Sequence, residues 1–355
     1  MTSRILPMWL ALVSTLTLSA FSQTVSLQHN SNLRQSASTS SAIIELLSTG
    51  TRITLLSNKP RSGYYHVRTG AGSLGWVWAK NVSLQVGKGT TREEMLSAHV
   101  AKGQPFDPGC ALPFDPIKEK HPIIDDSCSI DGTKRGGGNL SDGKLSENHV
   151  KNNFCVTATP IDISYDDLLQ LEAARANVHD AELPNAAARK QQLTNVIKVN
   201  GRGIGEGTLV RLVIFLIEAH YSDTKTSPSQ TSFGESVNCY RRSNEENDIH
   251  IVLGQQTHAD ECTSVTAEMS PHYRPAKWTQ DNVNAVGEHP VRVTGQLFYD
   301  SSHVVCQPGR RTAPKRASLW EIHPVYGFEV CQLTDIEACR SAANSDWQPL
   351  DRFVP

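Results

Sequence analysis

The chain has 355 residues, and its 34 Lys and Arg against 36 Asp and Glu give a formal net charge of −2 at pH 7. A nearly neutral chain has no global basic field, which excludes nucleic acid or anionic lipid binding through overall charge alone. The longest apolar run after residue 20 spans only residues 209–217 and contains Arg211. We therefore expect no transmembrane segment in the mature chain.

Residues 1–20 predict a secretory signal peptide. They carry one cation, Arg4, then an apolar run over residues 5–18, and they end on small residues at Ala20. Such a segment is removed on export, which leaves 33 basic against 36 acidic residues, a net charge near −3. The mature protein is expected to be secreted or periplasmic.

Eight cysteines all lie after residue 109. An even number in an exported chain favours disulfides over metal binding, and no CxxC spacing is present. The spacing does not say which cysteines pair. Their distribution separates a cysteine-free N-terminal unit from a cross-linked C-terminal one.

Residues 25–84 contain short β-rich runs separated by turns. The sequence has Asn-Leu-Arg at 32–34, small residues at 36–41, an apolar strand that ends at Gly50, and Gly-Trp-Val at 75–77. Over about 60 residues this resembles the bacterial SH3-like (SH3b) domain. The usual Gly-Pro after the arginine is replaced by Ser36-Ala37.

The resemblance implies a small barrel that binds peptidoglycan or another envelope ligand. Ile53, Leu55 and Val67 alternate as core residues would. Trp76 is expected in the core, whereas Tyr64 and Trp78 are candidates for a ligand groove. The alternative is that all these aromatic residues only fill the core and its rim.

Residues 85–147 predict a loop-rich linker because they are polar and interrupted by Gly and Pro. Residues 148–206 predict a helical segment. Ser164 followed by Asp167 suits a helix N-terminus, and a second helix is expected after Pro184. The glycines between 201 and 207 predict a turn rather than a nucleotide-binding loop.

Residues 207–331 predict a β domain, followed by a C-terminal tail at 332–355. The signals run strand, strand, strand, helix, strand, strand, at 208–219, 235–240, 247–253, 261–272, 291–300 and 319–330. This order resembles the OB-fold, a five-stranded Greek-key barrel. The predicted fold class is thus mainly β with some α: an SH3-like barrel, a helical linker and an OB-like barrel.

Two acid-x-histidine pairs lie on strands that the resemblance places side by side. Asp248 and His250 alternate with apolar residues, as do Glu321 and His323. Converging on the outside of the barrel, they could bind a divalent metal such as zinc or supply a general base. Solvated strand faces are the alternative. Glu268 with His272, and His303, are further candidates.

The loop at 309–316 carries four cations, and Trp320 follows it on the last strand. OB-type barrels bind oligosaccharides or oligonucleotides with strand faces and flanking loops, so these residues are candidate ligand contacts for an anionic polymer. A plain solvated loop is the alternative, and nucleic acid is not the favoured ligand. The four cations are Arg310, Arg311, Lys315 and Arg316.

These features favour an exported binding protein without a resident cofactor. Its SH3-like module would attach to cell-wall polymer such as peptidoglycan or to an envelope protein, and its barrel would engage a polymer or protein. The alternative is a metal-dependent hydrolase of a phosphodiester or glycan that uses the two acid-x-histidine pairs. A third class is a structural envelope protein. The absence of GxSxG argues against a serine hydrolase.

Overall fold

A computed structural model describes residues 23–83 and 127–354, apart from residues 29, 49, 58, 155–157, 177, 223–233, 242, 276 and 308. The predicted signal peptide, most of the predicted linker, Cys110 and Cys155 lie outside the described residues. Within the described parts, no helix has the length and apolar character needed to cross a membrane.

The N-terminal domain is a small antiparallel β structure of seven strands. They pair in the order β3-β2-β6-β5-β4-β1-β7. Ile53, Leu55 and Val67, which were predicted as core residues, are buried in its core. The strands are β1 Gln23–Leu27, β2 Ser31–Arg34, β3 Ile43–Leu47, β4 Arg52–Leu55, β5 Tyr64–Thr69, β6 Leu74–Trp78 and β7 Val82–Ser83.

Gly75 is required by close strand packing. A Cβ at this position would lie 2.8 Å from the carbonyl oxygen of Arg34 and from the side chain of Leu33. Only glycine lets β2 approach β6 this closely. Gly75 lies inside β6.

The C-terminal domain contains a closed five-stranded barrel. Its strands follow the order β11-β12-β13-β15-β14 and return to β11, with only the β13–β15 pair parallel. This confirms the predicted five-stranded barrel, while its likeness to the OB-fold stays a prediction. The strands are β11 Leu209–Tyr221, β12 Ile249–Gly254, β13 Val265–Met269, β14 Pro290–Tyr299 and β15 Trp320–Cys331.

Two predicted elements of the barrel are wrong. Residues 235–240 contain a 3₁₀ turn, Ser236–Asn238, instead of a strand. Residues 261–272 contain the strand β13 instead of a helix. Val265 and Met269 are four residues apart, and this even spacing places them on one face of a strand as well as of a helix.

The order of elements is nevertheless as expected, because a short helix between β13 and β14 replaces the one predicted earlier. The pairing of β14 with β15 is irregular near Pro324 and Gly327. The register between β14 and β15 shifts on both sides of Gly295, where a Cβ would lie 2.5 Å from the Pro324 carbonyl oxygen.

The helical segment packs onto the barrel. Ser164 caps its helix through a capping box with Asp167, as predicted, and Leu168 and Leu171 enter the same hydrophobic core as the barrel strands. The helices are α1 Asp142–Lys151, α2 Tyr165–Ala174, α3 Ala186–Leu193, α4 Gln280–Asn284 and α5 Ile336–Arg340.

Short strands extend this sheet system. β8, Ile161–Ile163, pairs in parallel with β11, and β16, Trp347–Pro349, pairs with β15. The predicted tail is therefore part of the barrel domain. A hairpin of β9, Ile197–Val199, and β10, Arg202–Ile204, occupies the glycine-rich region that was predicted as a turn.

Helix α1 begins at Asp142, inside the segment that was predicted as linker. Its C-terminal end is fixed against β14. Gln296 Nε2 donates to the carbonyl oxygen of Val150 at 2.9 Å, and Asn153 Nδ2 donates to Gln296 Oε1 at 2.6 Å. Val150 also packs on Phe298. The helix therefore covers part of the outer wall of the barrel.

Three disulfides occur among the described cysteines, as the even cysteine count predicted. They join Cys128 to Cys239, Cys262 to Cys306, and Cys331 to Cys339. The first connects the segment before α1 to the turn before β12.

Candidate functional sites

An open groove lies on the N-terminal domain. It is lined by Ser36, Ala37, Arg61, Ser62 and Trp76. Trp76 is only partly buried, and its ring stacks on His66 with the ring centroids 4.9 Å apart. The groove therefore combines an aromatic face with an exposed guanidinium.

The predicted groove aromatics are placed differently from Trp76. Tyr64 is buried, so its ring is not a surface group. Trp78 is partly exposed, and Lys80 Nζ lies 5.3 Å from the centroid of its ring. Alternation along β6 places Trp76 and Trp78 on the outer face and Val77 in the core, which corrects the expectation of a core Trp76.

The loop before β15 is only partly the exposed basic surface that the sequence predicted. Arg310, Arg311 and Lys315 are exposed, and Lys315 Nζ lies 3.4 Å from Glu261 Oε2. Arg316 is buried instead and forms ion pairs with carboxylates of the barrel domain.

Trp320 is likewise buried in the barrel core, 5.2 Å from Tyr299 between ring centroids. Because it lies inside the barrel, its ring is not a surface contact for a polymer. Its neighbour Glu321 points to the opposite face, as alternation requires.

The two acid-x-histidine pairs do not lie on adjacent strands. His250 is on β12 and His323 is on β15, and β13 runs between them. Its Glu268 lies opposite His250 in the register. Glu268 Oε1 lies 3.2 Å from His250 Nε2, and Glu268 Oε2 lies 2.6 Å from His323 Nδ1. Glu268 therefore connects the two histidines.

Further charged residues complete this arrangement, which we call the polar cluster. Lys151 at the end of α1 places Nζ 2.6 Å from Glu235 Oε2 and 4.0 Å from Glu268 Oε2. The polar cluster consists of Lys151, Glu235, Asp248, His250, Glu268, Glu321 and His323.

The polar cluster is buried, and this contradicts the expectation of a solvated strand face. The side chains of Glu268, Glu321 and His323 are at most 2% exposed, and Asp248 is also buried. Helix α1 covers this part of the barrel wall. Access increases toward one side, since Glu235 is 31% exposed and His250 17%.

Comparison with known proteins finds a family match for the N-terminal domain. Residues 29–83 match the family model of the bacterial SH3 domain. Two solved structures, NlpC2 and NlpC1 from Trichomonas vaginalis, show 15% and 14% identity over 26% of this chain, each with a TM-score of 0.17. The matches cover 36% and 34% of those chains, so this protein spans about a third of their length. No curated protein matches.

In the polar cluster of the barrel domain, burial and the charges of neighbouring side chains together set the pKa values. Burial disfavours a charge on His250, but the carboxylates of Glu268 and Glu235 outweigh it and raise its pKa to about 9. Burial likewise disfavours ionised Glu268, yet the charges of His250, Lys151 and His323 lower its pKa to about 2. Burial raises the pKa of Asp248 to about 6. Such groups can bind a cation or exchange a proton.

The remaining candidates lie outside the polar cluster. His303 Nδ1 is 2.5 Å from Asp300 Oδ2, in the loop after β14. His272 lies beyond the end of β13, so it does not share a helix face with Glu268. Sequence reasoning missed Lys151 and Glu235, and no local pattern distinguishes them.

Proposed function

We propose that this is an exported binding protein of the cell envelope or extracellular space, attached to cell-wall polymer such as peptidoglycan by its SH3 domain. The groove that Trp76 and Arg61 line carries this proposal. The disulfides support an oxidising compartment, where such cross-links persist.

The chemistry of the groove suits a wall polymer. An aromatic face such as Trp76 packs on the apolar side of a sugar ring, and a guanidinium such as Arg61 pairs with the carboxylates of stem peptides. Ser36 and Ser62 add hydroxyl groups that donate and accept hydrogen bonds. One groove can thus contact both the glycan and the peptide part.

We expect Arg61→Ala and Trp76→Ala each to weaken binding to insoluble purified peptidoglycan by about tenfold, which corresponds to roughly 1.4 kcal/mol. The measurement is co-sedimentation of the disulfide-bonded protein across a series of polymer concentrations. Arg68→Ala is the matched control, because Arg68 is an exposed arginine of the same domain outside the groove lining.

Equal binding by the Arg61 and Arg68 variants would contradict a role for the groove. Arg61 is exposed, so its variant tests the groove without disturbing the core. Failure of the unsubstituted protein to sediment with any wall polymer would instead favour contacts with envelope proteins.

The barrel is proposed to engage a second polymer or a protein through its basic loop. Arg310, Arg311 and Lys315 are the exposed cations of that loop. Since Arg316 and Trp320 are buried, the proposed contact no longer includes them.

A second candidate function is metal-dependent hydrolysis of a phosphodiester or glycan at the polar cluster. The observation that favours it is the graded access from Glu235 and His250 to the buried Glu268 and His323. Binding modules do not need buried acid-imidazole contacts, whereas hydrolases use them to hold metals or move protons.

Under this alternative, His250→Ala and His323→Ala abolish hydrolysis of labelled glycan or phosphodiester polymers while wall binding is retained, because the SH3 groove is separate from the polar cluster. The readouts are product release and co-sedimentation of the same samples. Wall binding without hydrolysis in the unsubstituted protein would eliminate the second candidate and leave the first.

A further inference from the structure

We propose that Asp248, Glu268 and His323 form a divalent cation site on the outer wall of the C-terminal barrel, beneath α1. This site goes beyond the proposed wall binding and does not depend on it. The ligand set also differs from the one expected from sequence, because Glu268 replaces His250 and Glu321.

Geometry provides the first support. One ligand atom from each of Asp248, Glu268 and His323 lies within 4.8 Å of the others, and all three residues are buried. Asp248 directly precedes β12, Glu268 lies in β13 and His323 lies in β15, and these three strands are hydrogen-bonded neighbours in the barrel. A rigid sheet therefore holds all three side chains.

Unpartnered buried atoms provide the second, independent support. Asp248 Oδ1 and His323 Nε2 are buried and have no hydrogen-bond partner. His323 Nδ1 and Glu268 Oε2 lie 2.6 Å apart as an ion pair. Buried polar atoms without partners are costly and rare. A shared cation would satisfy an atom of each residue at once.

The neighbouring groups explain why these three residues are selected. Glu321 is engaged by the guanidinium of Arg316. His250 faces the other oxygen of Glu268 and lies 2.7 Å from the Ser222 hydroxyl. Asn238 Nδ2 donates to Asp248 Oδ2 at 2.6 Å, which orients the carboxylate and leaves Oδ1 for the cation. Such supporting hydrogen bonds are typical of metal sites.

The donor set indicates the class of metal. Two carboxylates and one imidazole suit first-row divalent ions such as Zn²⁺ or Mn²⁺, whereas Ca²⁺ and Mg²⁺ prefer oxygen ligands alone. Three protein ligands leave at least one coordination position for water, as in catalytic rather than structural zinc sites.

Lys151 competes with the cation for Glu268. Its ammonium lies 4.0 Å from Glu268 Oε2 and is held there by Glu235. A divalent ion at the proposed site would be repelled by this charge. Removal of the charge should therefore strengthen metal binding, which is the opposite of what a ligand substitution does.

The test uses the full chain without a histidine tag, produced with its disulfides formed and stripped with a chelator. We expect about one equivalent of Zn²⁺ or Mn²⁺ per chain by elemental analysis after re-addition. Asp248→Asn and His323→Gln should weaken binding at least about 100-fold, since even the loss of groups that support ligands costs ~10–100-fold. Lys151→Met should strengthen it on the order of tenfold.

Glu329→Gln is the matched control. Glu329 lies on β15, as His323 does, and its carboxylate is paired with Arg292. The metal affinity of this variant should equal that of the unsubstituted chain. Substoichiometric binding by the unsubstituted chain, an equal loss in the Glu329 variant, or unchanged affinity in Lys151→Met would overturn the proposal. If the Asp248 and His323 variants fail to fold, the metal stoichiometry of the unsubstituted chain and the metal affinity of Lys151→Met test the proposal. Wall co-sedimentation of the same samples tests the SH3 function separately.

Discussion

Serine substitution of both Cys128 and Cys239 is expected to lower the free energy of unfolding by up to about 4.7 kcal/mol, the value for a cross-link closing roughly 100 residues. These cysteines are 111 residues apart in the sequence. The disulfide restricts the unfolded chain strongly because the loop it closes is long.

The same substitution should loosen α1. Cys128 precedes the segment whose Asp131 carbonyl oxygen accepts from Asn148 Nδ2 at 2.7 Å, and Asn148 Oδ1 accepts from the Ser236 hydroxyl at 3.0 Å. The disulfide thus supports the contacts that hold α1 against the turn before β12. Hydrogen exchange should accelerate in α1 and remain slow in β14.

Denaturant unfolding of the double variant provides the measurement. The matched control replaces Cys331 and Cys339, which are eight residues apart and whose short loop predicts a loss of only roughly 2.5 kcal/mol. Equal losses for the two pairs, or unchanged exchange in α1, would show that the first disulfide does not restrain this region.

Substitution of Arg316 by methionine is expected to destabilise the barrel domain by about 3–5 kcal/mol, because it leaves buried carboxylates without their cation. Arg316 forms ion pairs with Glu321 and, at 3.2 Å, with Asp300 Oδ2, and all three side chains are buried. Despite burial, the hydrogen bond from His303 and then the charge of Arg316 hold the pKa of Asp300 far below its usual range.

Arg211→Met provides the matched control for Arg316→Met. Arg211 donates two hydrogen bonds to Asp162, but the side chains are 34% and 67% exposed. Loss of this ion pair should therefore lower the free energy of unfolding by less than about 1 kcal/mol. Adding Glu321→Met to Arg316→Met should restore part of the stability, since a buried acid that has lost its Arg316 partner is removed. Similar losses for the two arginine variants in urea unfolding would refute this account.

Much of the fold could be predicted because the signals are local. The strands β14 and β15 and the Ser164 capping box were predicted from neighbouring residues alone, and the structure confirms them. β13 was wrongly predicted as a helix, because the four-residue spacing of Val265 and Met269 is compatible with the periodicity of a helix and with that of a strand. Tertiary pairing with β12 and β15 decides for the strand.

The polar cluster was only partly predictable for a different reason. Asp248, His250, Glu321 and His323 were found by alternation, and they do converge with Glu268. Their burial could not be predicted, because it depends on α1 packing across the barrel wall. Lys151 enters the cluster from more than 80 residues away in sequence, at the end of a helix whose first six residues were predicted as linker.

The SH3 domain is docked on the barrel by a buried side chain. Asn30 Nδ2 donates to the carbonyl oxygens of Pro271 and Arg274, at 2.5 and 2.9 Å. Both acceptors follow β13 within six residues of Glu268. A polymer held by the SH3 groove would therefore be presented to the barrel at a set distance, so that the local concentration of polymer there depends on geometry and not on the length of a free tether.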